Sequence, residues 1–584
     1  MRFQSNYDLF PHIHVETDEK AYAVAGWEAV GRELRDAVRA RCADKTVLCV
    51  DCYHGVWEKE TLAALTQQLR PDAVFCAADA QISKEKALDM LRCNITDDRV
   101  FGVMSHHRLA DFFEPQKEEA LRKAIAQAQG LVLVFGVGAA HLCSPDILVY
   151  ADMARWEIQL RFRSGRLANW LDDNFAEDTL RKYKRAFFID WRVLDRHKRE
   201  LFARMDYVLD TNDEAQPKLM TGDAFRRGLD TAVTRPFRVK PYFDPGVWGG
   251  QWMKEKFGLP QEAKNYAWSF DCVPEENSLL LEVGGIVLEI PSIDLVFYHP
   301  RELLGDKTHA RFGAEFPIRF DLLDTMGGGN LSLQVHPLTE YIQDRFGMHY
   351  TQDESYYLLD AGENTCVYLG CKNGTERAAL HAALSESQTT GQFDAERFVN
   401  AIPAHRHDHF LIPGGTVHCS GKNCMVLEIS ATPYIFTFKL WDWGRLGLDG
   451  RPRPIHLEHG MNNIQFHRNT DWVMKNLVNR VETLHADDHV TEERTGLHER
   501  EFIETRRHWF DAPVAHDTRD NLNVLNLVEG REALVESPTG AFAPFPVHYA
   551  ETFIVPAAVG AYTIRPLEYG ESGRMGTIKA FVRV

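Results

Sequence analysis

"NLSLQVHP", residues 330–337, is the stretch on which the reading of the chain turns. Apolar and polar side chains alternate as a half-buried strand requires. The polar face carries Ser332, Gln334 and His336 before Pro337 ends the run. An outer strand face that meets water shows the same alternation. The alternative turns that face inward, so that Gln334 and His336 meet a metal ion inside a barrel.

The residues that follow favour the inward reading. Glu354 opens the next apolar run, "DESYYLLD". Farther on, "HFLIPGGTVHCSG" uses Gly414-Gly415 as a tight turn that presents His418. Two imidazoles, a carboxylate and an amide oxygen suit a borderline divalent cation, with zinc the leading candidate. Antiparallel neighbours in a barrel bring such side chains from distant positions to one interior point. A rival donor set is "AHRHDHF", whose His405, His407 and His409 are spaced by two and would share one strand face. That segment leads out of a helix and reads partly as turn, so it is expected to form a polar rim beside the pocket.

The whole chain has 584 residues, 45% hydrophobic and 26% charged, with a formal charge of −18. This is a soluble globular composition of several domains. The acidic balance argues against a general nucleic-acid or anionic-membrane surface. The N-terminus has no apolar signal core, and "GLVLVFGVGAAHL" is too short and glycine-rich to span a bilayer. Eleven scattered cysteines without a secretion signal fit reduced thiols in a cytoplasm. The single CxxC, Cys49 and Cys52, lacks the second pair that a zinc ribbon needs.

Three regions follow from the pattern. Residues 1–235 alternate helical stretches such as "GWEAVGRELRDAVRARC" with short apolar runs such as "TVLCVD" and "GLVLVFG", which predicts α/β with a mainly parallel sheet. In this region "AFFIDWRVLDRHKREL" reads as a strand followed by a basic helix. Asp51 and Asp152, near strand ends, read as solvated turn carboxylates. Proline, glycine and aromatic residues mark a boundary near 236. Residues 236–490 then read as an antiparallel β-barrel or sandwich, with a hairpin around Gly284-Gly285 and a helical insert from "GTERAALHAALSES" to "DAERFVNAI". Residues 491–584 return to strands and read as a second, smaller β-barrel.

"LSLQVHP", "DESYYLLDA" and "FLIPGGTVHCSGKNCMVLEIS", with "DPGVWGGQWMKEKFGL" upstream, resemble the type I mannose-6-phosphate isomerases, a cupin (jelly-roll) family. The resemblance covers about 240–470. It implies metal ligands at Gln334, His336, Glu354 and His418, one zinc or other divalent ion per chain, and a proton-handling glutamate at Glu428. It also implies interconversion of an aldose and a ketose, mannose 6-phosphate and fructose 6-phosphate or a related pair, through an enediol. The only partner so implied is a small sugar or sugar phosphate. The sequence departs from the family at its basic positions. Gln352 stands where a lysine precedes the glutamate ligand, and Asp321, with Arg319 two residues earlier, stands where another lysine is usual. Lys439, eleven residues after Glu428, and Arg445 are the nearest replacements for an arginine. These departures leave a second reading open, a non-catalytic sugar-binding or regulatory protein.

The N-terminal region resembles uridine-kinase-like P-loop proteins in outline. "KTVLCVDCYHGVWEKETLAAL" occupies the place of strand, phosphate loop and helix. A working loop reads GxxxxGK[ST]. Here only Gly55 is present, and Lys59 falls inside the helix, so the resemblance implies a degenerate kinase-like domain.

Overall fold

Strand Lys45–Cys52 carries an almost unbroken apolar run and is buried along most of its length. In the computed structural model, which describes residues 4–584 except 432, 433, 435, 452, 497 and 571, it lies inside a seven-stranded sheet. Its neighbours Gly130–Gly136 and Ile147–Asp152 run parallel to it. Ala73–Cys76 and Tyr207–Asp210 extend the parallel array, and Lys218–Thr221 and Ala23–Ala25 close one edge antiparallel. Helices cover a parallel sheet on both faces, which is why these strands read as continuous apolar runs.

Two compact units divide the chain. One comprises His12–Ala232 with Ser278–Tyr298; the other comprises the residues up to Pro11 with Val233–Asn277 and His299–Val584. The hairpin at Gly284-Gly285, both with positive φ, therefore belongs to the α/β unit, where Ser278–Val283 pairs in parallel with His12–Val15. A type I′ turn needs positive φ at both central residues, and glycine supplies it without steric cost.

Two expectations for the α/β unit are corrected. Residues Ala186–Asp190 are a π-helical turn between helices Thr179–Arg185 and Trp191–Leu201, not a strand. All five are buried, and a short run buried on every side has the same pattern in a strand and in a core helix. Asp51 and Asp152 are buried, not solvated. The Asp51 carboxylate accepts hydrogen bonds from the backbone N–H of Ala140 (2.8 Å) and faces His197 Nε2 at 2.8 Å. Lys198 Nζ donates to both Asp152 oxygens (2.8 Å) and to Asp294 (2.9 Å). Gly55, with φ 106°, sits where an added Cβ would lie 2.7 Å from Ile158, and its carbonyl accepts from Arg161.

In the other unit a six-stranded sheet runs in the order His409–Ile412, Asp353–Ala361, Cys424–Ala431, Arg319–Asp324, Trp268–Cys272, Tyr242–Asp244. A five-stranded sheet runs Val399–Pro403, Cys366–Cys371, His418–Ser420, Leu333–Val335, Phe438–Trp441. The helical insert, Arg377–Thr390 and Ala395–Phe398, separates Cys366–Cys371 from its partner Val399–Pro403. Two further sheets, of six and four strands, make up the C-terminal region around Phe510, Leu525, Leu527, Phe553 and Met575. Among the described residues no helix is long and apolar enough to cross a membrane. All eleven cysteines are free.

Candidate metal centre

Strand register places the donors. Gln334 lies opposite His418 on one side and Lys439 on the other. In the six-stranded sheet Glu354 lies opposite Ser430, which lies opposite Arg319. One step along the same face, Tyr356 lies opposite Glu428, which lies opposite Asp321. Directly opposed residues share a face, so one buried surface carries Glu354, Glu428, Asp321 and Arg319.

His336, Glu354 and His418 meet with their ligand atoms within 4.8 Å of one another. His336 Nε2 is 3.0 Å from one Glu354 oxygen and His418 Nε2 is 2.8 Å from the other. All three are buried. His336 Nδ1 lies 2.8 Å from the Phe436 carbonyl and His418 Nδ1 lies 2.9 Å from that of Thr416. A carbonyl at Nδ1 fixes the tautomer and leaves the Nε2 lone pair facing the carboxylate, the arrangement seen behind metal-binding histidines. His336 Nε2 and Glu354 Oε1 have no partner of hydrogen-bond geometry, an expensive condition for buried polar atoms. The donor set therefore fits a divalent cation. The Gln334 carboxamide lies 3.2 Å from His418 Nε2, and rotation of the amide exchanges its nitrogen and oxygen. Burial would raise the Glu354 pKa, but without a metal the two imidazoles, when protonated at Nε2, outweigh it and hold the carboxyl well below the usual range.

Gln352, in the position of the family lysine, donates to Glu354 Oε2 (3.0 Å) and reaches Glu428 Oε1 (3.5 Å), and its own oxygen accepts from Phe436 N–H. Burial pushes the Glu428 pKa well up, and the charges of Glu354 and Asp321 add to this. Arg319 Nε donates to Asp321 at 2.7 Å, while Arg319 Nη1 and Nη2 and Ser430 Oγ have no hydrogen-bond partner. The interior therefore holds several unanswered polar atoms beside the His–Glu–His set.

Lys439 flanks Gln334 on the neighbouring strand. Arg445 Nη2 is bonded instead to Asp442 (2.7 Å), which also accepts from Ser332 and Arg453. The histidine run does not share a strand face, and the expected rim beside the pocket is corrected. His405 lies in a turn, and His407, with φ 70°, contacts Tyr357 and Glu529. His409 pairs with Tyr357, whereas Glu354 pairs with Ile412. The odd offset puts the His409 ring on the opposite face of the sheet from Glu354.

The centre defines a candidate metal site on a β-sandwich scaffold, and comparison with known chains supplies relatives for it. The chain is 26% identical over 231 residues to the mannose-6-phosphate isomerase of Streptococcus mutans, covering 39% of this chain and 67% of that protein. It is 26% identical over 235 residues to mannose-6-phosphate isomerase ManA of Bacillus subtilis, covering 40% and 69%. The crystal structure of the mannose 6-phosphate isomerase from Bacillus subtilis superposes on 59% of this chain and 99% of its own, with 19% identity and a TM-score of 0.48. Residues 26–234 match a domain of unknown function, DUF8485.

Proposed function

We propose that this chain is a metal-dependent aldose–ketose isomerase that interconverts mannose 6-phosphate and fructose 6-phosphate or a closely related sugar pair. The buried His336–Glu354–His418 set carries the reading, supported by Gln334 at its edge and Glu428 on the same face. Gln334, His336, Glu354 and His418 would hold one zinc or other divalent ion, which would polarise the sugar's hydroxyl and carbonyl oxygens. Moving a proton between C1 and C2 needs a group able to give and take it near neutral pH. Glu428, whose pKa is pushed up from the usual carboxylate range by burial and by the charges of Glu354 and Asp321, is that group. Arg319 and Lys439 supply positive charge along the same buried surfaces and are the candidates to anchor the sugar phosphate, since charge-assisted bonds are its usual hold. Arg445, engaged by Asp442, has the weaker claim. Residues 1–235, on this reading, form a kinase-like domain without phosphate transfer, and the protein works in the cytoplasm.

One observation favours a second reading, a sugar-binding protein that has kept the metal. Neutral Gln352 occupies a site where a cation would balance Glu354 and Glu428, and Asp321 already neutralises Arg319. Incubation of metal-loaded protein with phosphorylated and free aldoses separates the two. Interconversion supports the isomerase. A sugar that raises the melting temperature without turnover supports the binding protein.

A further inference from the structure

The C-terminal sandwich is apolar at one end of its interior and polar at the other. Phe510, Leu527 and Met575 lie in the apolar core. Along the same strands the inward positions become Arg506, His508 and Lys579, with Lys579 opposite Arg506 and Leu525. His516, from a strand of the smaller sheet, stacks on Tyr562 and packs edge-on against His508 with 4.6 Å between ring centroids. A cavity of about 400 Å³ opens at this end, lined among others by Arg506, His508, His516, Asn523, Lys579 and Phe581. Stable sandwiches fill such positions with apolar side chains, so a lysine and two histidines there cost stability unless they serve a ligand.

The hydrogen-bond inventory identifies that ligand. The carboxylates are already engaged: Glu492 and Glu504 both accept from Arg506, at 2.9 and 2.7 Å. Asp517 accepts from the Arg519 backbone N–H. The donors are not. Among the described residues Lys579 Nζ has one hydrogen-bond partner, His516 Nδ1, at 3.5 Å. With the lysine facing Nδ1, the proton of the neutral imidazole sits on Nε2, and that atom is buried without a partner. His508 is already answered, its Nε2 facing Glu492 at 3.5 Å, so its Nδ1 is a lone pair and adds no donor. Lys307 and Arg519 also line the cavity. The unanswered groups are thus the Lys579 ammonium and the His516 Nε2–H, and with these two cations in the lining they call for a ligand rich in acceptors and negatively charged. A phosphoryl group meets several donors at once, whereas a single carboxylate meets fewer.

We propose that the polar end of the C-terminal sandwich is a second ligand site, separate from the metal centre, which binds a phosphate monoester through Lys579 and His516. The cavity is large enough for a phosphorylated monosaccharide, with Phe581 as an apolar wall. Burial holds the Lys579 amine down to about 8, partly offset by Glu492, so an arriving dianion adds countercharge to the lysine.

Titration calorimetry on the full chain tests this with inorganic phosphate, glucose 6-phosphate, acetate and glucose as probes. Phosphate and glucose 6-phosphate should bind. Lys579→Met and His516→Ala should each weaken phosphate binding at least tenfold, and Lys579→Arg should restore it to within about threefold. His336→Ala, which removes a proposed metal ligand, should leave phosphate binding at this site unchanged, so failure of the metal reading and failure of this one are distinguishable. Circular dichroism confirms that each variant folds. Phosphate binding with the same number of sites and the same affinities in Lys579→Met and His516→Ala as in the parent chain, acetate or glucose binding as tightly as phosphate, or no phosphate binding in the millimolar range would each overturn the proposal.

Discussion

Removing the metal should lower the stability of the β-rich unit by an amount that follows from the geometry. The four proposed ligands come from strands distant in sequence, so the unfolded chain offers no equivalent site and metal binding is coupled to folding. An ion present at about 1,000 times its dissociation constant stabilises the native state by about 4 kcal/mol. The unit contains roughly 340 residues and unfolds with an entropy near 0.7 kcal/mol per kelvin, so the loss corresponds to a fall of about 6 °C in melting temperature. Metal-loaded protein would be scanned by differential calorimetry with and without a chelator, and its ion content measured by mass spectrometry. His336→Ala and His418→Ala should each contain little metal and show no chelator shift, because a missing imidazole leaves the shell incomplete. An unchanged melting temperature after verified metal removal, or a full shift retained in both variants, would refute the coupling and with it the ligand assignment.

Four further outcomes follow. Glu428→Gln should reduce isomerase turnover by about 10²-fold or more with little change in KM, the scale of losing a group that handles the proton, as steady-state kinetics will show. Lys439→Ala should raise KM for a phosphorylated sugar more than Arg445→Ala does, because Arg445 is already bonded to Asp442; equal effects would contradict this ordering. Lys579→Met should stabilise the chain at pH 7. The folded-state pKa of Lys579 lies near 8, below the unfolded value near 10.4, so the unfolded chain binds more protons between these limits and the native lysine lowers stability at neutral pH by up to about 3 kcal/mol. Urea unfolding in phosphate-free buffer should show this advantage shrinking as pH rises from 8 toward 10.5. Finally, full-length protein should not turn over ATP, because the chain after strand Lys45–Cys52 offers neither a glycine-rich cradle nor a loop lysine, and Asp51 and Lys198 are bonded to protein groups; phosphate release lost on changes at residues 51–59 would contradict it.

What the sequence determined was local and periodic. Alternation in "NLSLQVHP" set Gln334 and His336 on one face, and Gly414-Gly415 marked the turn before His418, because strand period and turn chemistry act over a few residues. The alternation of apolar runs and helices was likewise enough for the parallel sheet. Tertiary structure decided what depends on surroundings. "AFFID" became a π-helical turn because burial on all sides removes the periodic signal that separates helix from strand. Asp51 and Asp152 became buried bonded carboxylates through His197 and Lys198, whose proximity no local pattern encodes. His409 left the pocket by one residue of register against Tyr357. The polar cavity of the C-terminal sandwich was invisible for the same reason. Lys579, His508 and His516 sit on three strands with no motif spacing, and only sheet pairing and packing bring their donors to one end of the interior while the neighbouring carboxylates are drawn to Arg506.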